Sequence, residues 1–371
     1  MIAPEWQSVR HILVLRLDNL GDVILASPAI ASLARALPQA RITLLASPSG
    51  AQAGELHPDI DEVIVYEAPW VDPWQRIPHD PAREQVMIAR LREMNIDAAV
   101  IFTSYRQSCL PAAYMCYLAD IPLRLGISQE ASGSLLTTRH RPSTVLIHEV
   151  KRGLDLIGAI GVPASTSDLV LSVPITATEA VDRWVIERLQ GDGRGALIVV
   201  HPGCTMPART YPWERYADVV TGLVERMGAT VILTGTAPEQ ALVDQIVDRL
   251  PSGVRNAVQL QVGDQPLGRF AALVARADLL ITNNTGPMHV AAAVGTPSVV
   301  LFALTNPPEQ WRPWRTPHRL LFEDVPCRIC YSRSCPLGHH QCLTGVTPDS
   351  VVTAAREMIE EAASWPIRKR A

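Results

Sequence analysis

The segment Asn283-Asn284-Thr285-Gly286-Pro287-Met288-His289 follows an apolar run that ends at Ile281 and opens into Val290-Ala291-Ala292-Ala293-Val294-Gly295. That order reads strand, tight polar turn, helix. A helix start carries unpaired backbone N–H groups and the positive end of the helix dipole, so a phosphate or diphosphate is its natural occupant. A second such place is Arg16-Leu17-Asp18-Asn19-Leu20-Gly21-Asp22, where the first apolar strand gives way to a helix. An aspartate there is either a helix cap or a general base, since a sugar hydroxyl needs a carboxylate within hydrogen-bond reach to become a nucleophile. Asp22 is the candidate base and Asp18 the weaker one. In a third place, His201-Pro202-Gly203-Cys204 runs into a polar loop carrying Arg209, which is either a cation that meets a diphosphate or a solvated surface arginine.

A fourth cluster is Cys327-x2-Cys330-x4-Cys335-x6-Cys342, with His339 and His340 inside it. Four thiolates can hold zinc tetrahedrally, or iron. A structural zinc or iron, plain reduced thiols and a redox pair all stay open, with the loop expected to pin the approach to the last helix rather than do chemistry. Cys109, Cys116 and Cys204 read as small buried hydrophobes. His148, at the start of a helical stretch, reads as a cap or as an acceptor-lining residue. Arg106, Arg139 and Arg141 are surface charges or contacts for an acidic acceptor, and Trp311 and Trp314 read as packing.

The elements that must position these residues alternate along the chain. Strands are expected at His11–Leu17, Arg41–Ala46, Glu62–Tyr66, Ala98–Thr103 and Arg124–Ile127, then at Ala196–His201, Thr230–Thr234, Ala257–Val262, Leu279–Thr282 and Ser298–Phe302. Helical patterns lie between them at Val23–Leu37, Pro81–Met94, Trp213–Met227, Glu239–Leu250 and Leu267–Ala277. Such alternation implies parallel sheets covered by helices on both faces. Two series imply an α/β protein of two Rossmann-like domains with ligands at the carboxyl ends of the strands. The boundary is expected after a strand Leu169–Val173, at Pro174, which divides the chain into residues 1–174 and 175–371. The last helix, Pro348–Ala363, is a candidate to cross back to the first domain. Gly191-Asp192-Gly193-Arg194-Gly195 precedes a strand rather than a helix, so it reads as a turn and not a phosphate loop.

Bulk composition narrows the function classes. A chain of 371 residues that is 47% hydrophobic can fill two cores. A net charge of −4 argues against a nucleic-acid partner. Lys151 and Lys369 are the only lysines, so nearly all positive charge is Arg, the better bidentate partner for phosphate and carboxylate. With no secretory or spanning segment in the pattern and the cysteines crowded rather than spread, the sequence reads as cytoplasmic.

Gly21-Asp22, His201-Pro202-Gly203, Arg209-x-Tyr211-Pro212-Trp213-Glu214, Thr285-Gly286-Pro287-Met288-His289 and Thr305-Asn306-Pro307 occur in an order that resembles glycosyltransferase family 9, the ADP-heptose:lipopolysaccharide heptosyltransferases. The resemblance runs from Ile12 to about Thr347. It implies a GT-B fold, two Rossmann-like domains with parallel sheets facing across a cleft, with the acceptor on the first and the nucleotide-sugar on the second. It implies inverting, metal-independent transfer of a sugar, heptose from ADP-heptose being favoured, to a lipid-linked glycan acceptor at the inner face of the cytoplasmic membrane. By motif, Asp22 matches the catalytic base. Thr285, Gly286 and Pro287 match the diphosphate turn, to which His289 adds a hydrogen bond. Arg209 stands at a phosphate-binding Lys position, Glu239 matches a ribose contact, and Arg124-Leu125-Gly126 resembles an acceptor-side segment. Asn284 and Asn306 stand where the family commonly has Asp. These departures leave open a different nucleotide-sugar, a small-molecule acceptor, or a nucleotide- or glycan-binding protein without catalysis.

Overall fold

In both halves the strands are short, nearly continuous apolar runs, as parallel strands must be when helices cover both faces. The computed structural model describes residues 1–71, 76–188 and 195–362. The chain divides into two compact units, Met1–Ser172 and Val173–Ala371.

The first unit runs β1 (His11–Arg16), α1 (Leu20–Ala36), β2 (Arg41–Ala46), α2 (Pro48–Gly54), β3 (Glu62–Val65), α3 (Pro81–Glu93), β4 (Ala98–Ile101), α4 (Leu110–Leu118), β5 (Leu123–Ile127), β6 (Thr138–His140) and α5 (Glu149–Gly158). All its strands are parallel, in the order β3-β2-β1-β4-β5-β6. The chain builds outward from β1 in one direction and from β4 in the other. The carboxyl ends of these two neighbours therefore border a topological switch point, where open α/β sheets place ligands. Helix α1, which carries Asp22, is buried along most of its length between the sheet and α5. Pro28 sits inside it and cannot donate to the Ile24 carbonyl four residues back. The Ser27 hydroxyl donates to that carbonyl instead, at 2.7 Å, so the helix continues.

The second unit runs α6 (Ile175–Arg188), β7 (Leu197–His201), α7 (Trp213–Met227), β8 (Thr230–Gly235), α8 (Gln240–Arg249), α9 (Ser252–Arg255), β9 (Val258–Val262), α10 (Leu267–Arg276), β10 (Leu279–Asn283), α11 (Gly286–Val294), β11 (Ser298–Leu301), α12 (Pro308–Trp311), β12 (His318–Leu321), α13 (Gln341–Thr344) and α14 (Pro348–Ala362). Its sheet is again all parallel, in the order β12-β11-β10-β7-β8-β9. The switch point lies between β7 and β10, whose register pairs Thr282 with His201.

Two expectations need correction. Leu169–Val173 is not a strand: Val170 N donates to Ser27 Oγ at 2.8 Å and Ser172 N to the Leu56 carbonyl, so its donors are spent on a side chain and a loop rather than a ladder. The last helix packs its apolar face within its own unit. Val351, Val352, Ala354, Ala355 and Met358 of α14 are buried in the core of the second. At Gly222 of α7 a side chain would meet Val352 Cγ2 at 2.9 Å, so the missing Cβ is what lets the two helices lie together. Edge strands β6 and β12 were not expected at all. The segment Gly191–Arg194 lies outside the described residues.

Candidate functional site

In the first unit, Asp22 occupies the third position of α1, and its two carboxylate oxygens do different things. Oδ2 accepts the Asn19 backbone N–H at 3.0 Å, which is the capping role. Oδ1 is held by Arg16 Nη2 at 3.0 Å and faces the Ser104 hydroxyl at 3.2 Å. Asp22 is thus both cap and site residue. Asp18 joins the same cluster: its Oδ1 accepts from Gln107 Nε2 at 2.6 Å, and its Oδ2 lies 3.1 Å from Ser104 Oγ and 3.3 Å from Arg16 Nε. The Ser104 hydroxyl has one proton and two carboxylates to serve. Burial pushes the Asp18 carboxyl above the usual range against the pull of Arg16, and the Asp22 charge adds to the push.

Glu149, the first residue of α5, is the third carboxylate. It lies 3.8 Å from Arg16 Nη2 and 3.3 Å from Arg152 Nη1, and Arg152 also donates to the Thr103 carbonyl. Burial alone would lower the Arg16 pKa, but Asp18, Asp22 and Glu149 together raise it, so it stays charged. These groups border a small, partly open recess lined by Arg16, Asp22, Phe102, Thr103, Glu149 and Arg152, among others. Among the described residues, Thr103 Oγ1 and Arg152 Nε find no hydrogen-bond partner, which leaves polar atoms beside it for a ligand or water. The elements contributing are the ends of β1 and β4 and the starts of α1 and α5, the switch-point neighbourhood of this sheet.

The expected acceptor-side arginines lie elsewhere. Arg124 is buried, and its guanidinium donates to the carbonyls of Ile121, Pro122, Ser134 and Leu135 while stacking on Tyr117. It clamps the loop before β6 and is not among the recess-lining residues. Arg106 is exposed, with a left-handed backbone (φ 72°), in the loop that carries Ser104 and Gln107. His148 caps α5, its Nδ1 accepting from Val150 N. Sequence reasoning missed Arg16, Ser104, Glu149 and Arg152 as site residues. The available signal was Arg16 itself, a cation that directly follows the apolar run Ile12–Leu15 at the end of β1.

In the second unit the switch point is laced together by asparagines. Asn283, fully buried at the end of β10, accepts from Tyr211 N at 3.1 Å and donates to the Pro202 carbonyl at 2.8 Å, tying β10 to the loop after β7. Asn284 accepts from Ala303 N at 3.1 Å and donates to Asn306 Oδ1 at 3.3 Å. Both amide groups of Asn284 are thereby engaged by the protein. Thr285 is the N-cap of α11, with Gly286 and Pro287 in its first turn and His289 buried one turn on. Pro287 near the helix start gives up no needed donor. Arg209 ends a short turn, Pro207–Arg209, and its Nε donates to Thr305 Oγ1 at 3.0 Å.

Glu239 accepts from Thr236 N at 2.8 Å and from its hydroxyl at 2.9 Å, and lies 3.8 Å from His201 Nε2. Burial lowers the His201 pKa, with Glu239 opposing, so the imidazole is neutral at pH 7. A Cβ at Gly203 would sit 1.9 Å from Glu239 Oε1; only glycine lets this carboxylate lie against the loop after β7. The sequence-expected Arg209, Thr285, Gly286, Pro287 and Glu239 therefore stand on the loops and helix starts that follow β7, β8 and β10.

All four clustered cysteines are free, half-buried thiols, Cys327, Cys330 and Cys335 in the loop between β12 and α13 and Cys342 in α13 itself. Cys327 Sγ lies 3.8 Å from His339 Nε2, and Cys335 Sγ accepts from His340 N. Burial raises the Cys342 thiol, and its three partner cysteines add to the rise. Among the described residues, no group of three or more His, Cys, Asp or Glu side chains is gathered closely enough to hold a metal ion. Among those residues, too, no helix is long and apolar enough to cross a membrane.

Comparison with known proteins adds to this geometry. The family model described as glycosyltransferase family 9 (heptosyltransferase) matches residues 87–341. Lipopolysaccharide heptosyltransferase 2 of Salmonella typhimurium is 24% identical over 360 residues, which cover 94% of this chain and 99% of the relative. The crystal structure of a family 9 glycosyltransferase from Veillonella parvula superposes with a TM-score of 0.77 at 23% identity, covering 95% of this chain and 98% of that one. That of E. coli ADP-heptose LPS heptosyltransferase II gives 0.73 at 21%, covering 95% and 99%. At such identities the two structures speak to the fold, which is GT-B.

Proposed function

The chain belongs to glycosyltransferase family 9, and from that premise we propose that it transfers a sugar, heptose from ADP-heptose in the favoured reading, to a lipopolysaccharide-core or related glycan acceptor. The observation that carries the mechanism is Asp22 Oδ1, buried beside a recess of mixed polar and apolar lining and fixed by Arg16. In this reading the first unit binds the acceptor, and Asp22 takes the proton from the acceptor hydroxyl as that oxygen attacks the anomeric carbon. Attack comes from the face opposite the diphosphate, so the configuration inverts. The second unit binds the donor. Arg209 and the start of α11 at Thr285–Pro287 meet the charge that grows on the leaving diphosphate, and Glu239 meets the ribose. Positive potential from these groups makes a catalytic metal unnecessary. A lipid-linked acceptor would bring the enzyme to the membrane surface.

Asp22→Asn tests the base. Turnover should fall by roughly 10²–10⁴-fold with nucleotide affinity unchanged; unchanged turnover would remove Asp22 from the mechanism, whereas a wild type that binds nucleotide without turnover would favour a binding protein on a transferase fold. A second reading changes the donor, and the Asn284–Asn306 amide pair favours it because family members commonly carry Asp at both places. Calorimetric titration with ADP, UDP, GDP and dTDP without Mg²⁺ separates the two readings: selective ADP binding supports ADP-heptose, and preference for another nucleotide moves the donor. A structural zinc or iron on Cys327, Cys330, Cys335 and Cys342 rests on the chemistry of four thiols in one loop. Metal analysis of protein purified anaerobically without added metal decides it, and a metal-free result sinks it.

A further inference from the structure

The loop from β12 to α13 is fastened to the donor-side residues at four points. Ile329 N donates to the Leu304 carbonyl at 2.6 Å and Tyr331 N to the Thr305 carbonyl at 2.7 Å. Ala208 N donates to the Arg333 carbonyl at 3.0 Å, and His340 Nε2 lies 2.8 Å from the Ala208 carbonyl. Both backbone groups of Ala208, the residue before Arg209, are therefore held by this loop, and so is the carbonyl of Thr305, whose hydroxyl receives Arg209 Nε. The loop grips both ends of the Arg209–Thr305 contact.

The grip is kept at a conformational cost. Ile329 (φ 62°), Tyr331 (φ 50°) and His340 (φ 52°) all sit in the left-handed region, which is unfavourable for bulky or β-branched residues and persists where surrounding contacts over-determine it. A carbonyl oxygen can only accept, so His340 must present its proton on Nε2. Both the neutral Nε2–H tautomer and the imidazolium can do so.

We propose that His340 is a positioning residue for Arg209: by holding the Ala208 carbonyl it fixes the turn Pro207–Arg209 so that the guanidinium stays where a donor diphosphate needs it. The inference rests on the reading of Arg209 as the diphosphate cation. Its signature is a loss confined to the diphosphate and dependent on Arg209.

The experiment measures affinities for the nucleoside diphosphate that the wild type prefers among ADP, UDP, GDP and dTDP, and for the matching monophosphate. Arg209→Ala comes first and should weaken the diphosphate about ten-fold or more, since a charged donor is lost, with the monophosphate within about two-fold. No effect on the diphosphate would overturn the donor reading itself, and the inference with it. His340→Asn is the disrupting variant, because Asn tolerates the left-handed backbone while its amide is too short to reach Ala208. It should weaken the diphosphate about five- to ten-fold and spare the monophosphate. His340→Gln, which carries an N–H at similar reach, should stay within about two-fold of wild type. In the Arg209→Ala background, His340→Asn should add nothing. If Arg209→Ala behaves as expected but His340→Asn leaves the diphosphate unchanged, weakens both nucleotides alike, or adds fully to Arg209→Ala, then the loop is structural only and the proposal falls.

Discussion

Arg16→Met removes the cation that three buried carboxylates share, and the structure sets the size and sign of the effect. The contacts are 3.0 Å to Asp22, 3.3 Å to Asp18 and 3.8 Å to Glu149, with the guanidinium almost wholly buried. Three carboxylates against Arg16 and Arg152 leave one net negative charge; without Arg16 they leave two. Each pair at this range is worth about 4 kcal/mol gross at an effective dielectric near 20, and removing one partner of a buried pair costs about 3–5 kcal/mol net. That is a large part of a domain's total stability of roughly 5–15 kcal/mol. The deficit must also depend on pH. Deprived of the cation, the folded trio binds protons more tightly than the unfolded chain does. A group whose folded pKa is raised contributes stability that is present below its unfolded pKa and lost as pH rises through the folded value. Asp18 already behaves this way in the wild type. The difference between variant and wild type should therefore be widest near pH 8 and narrow toward pH 5. Denaturant unfolding at several pH values reads this directly, and the acidic limb of kcat/KM should move to higher pH in the same variant. A deficit that is equal at pH 5 and pH 8, with an unmoved acidic limb, would refute the account of Arg16 as the counter-ion of the site.

Gly203→Ala should push the Glu239 carboxylate out of its seat, since the new Cβ would lie 1.9 Å from Oε1. Calorimetry should show nucleoside binding weakened about ten-fold, the loss of one charged hydrogen bond, in a protein that still folds. Tyr211→Phe removes the hydroxyl that donates to the Val346 carbonyl at 2.8 Å. Because Arg215 also donates to that carbonyl, at 2.7 Å, the stability loss should stay near 1 kcal/mol by denaturant unfolding. Asn306→Asp leaves an acceptor facing Asn284 Nδ2 and should be mild, whereas Asn284→Asp sets an oxygen against Asn306 Oδ1 and should cost about 2 kcal/mol; equal effects in thermal unfolding would show that the amide orientations drawn from this pair are wrong.

The sheets were legible because parallel strands covered on both faces read as unbroken apolar runs; β2 was placed to the residue and β1 missed by one. The two strands that escaped, β6 (Thr-Arg-His) and β12 (His-Arg-Leu-Leu), are edge strands, each with one partner and half-exposed side chains. Lacking a second apolar face, they carry no run to find. Asp22 was legible from its place at a strand-to-helix junction. Its partners were not, because Ser104 and Glu149 come from a loop and a helix far along the chain and meet Arg16 only once the sheet is ordered. Arg124 shows a different limit: an arginine in a family-like segment reads as an acceptor-side contact, and in the structure its guanidinium donates to four backbone carbonyls. Nothing in local sequence separates an arginine that clamps a loop from one that faces a ligand.

The departures on the donor side show why residue types alone underdetermine a site. Read in sequence, Asn284, Asn306 and Arg209 are three independent differences from a family pattern. In space they form a chain: Asn284 donates to Asn306, Asn306 accepts from Thr305, and Thr305 accepts from Arg209. Two amides can hydrogen-bond each other without any counter-charge, whereas two buried carboxylates at the same spacing could not both ionise without a cation between them. With amides in place, Arg209 is not needed to neutralise that pair. Its Nε is anchored on a neutral hydroxyl. Replacement of Lys by Arg fits that arrangement, because a planar guanidinium presents its donors as a fork, one of which, Nε, holds Thr305. The three substitutions are thus one redistribution of charge, in which a neutral amide pair beneath the turn accompanies a forked cation above it.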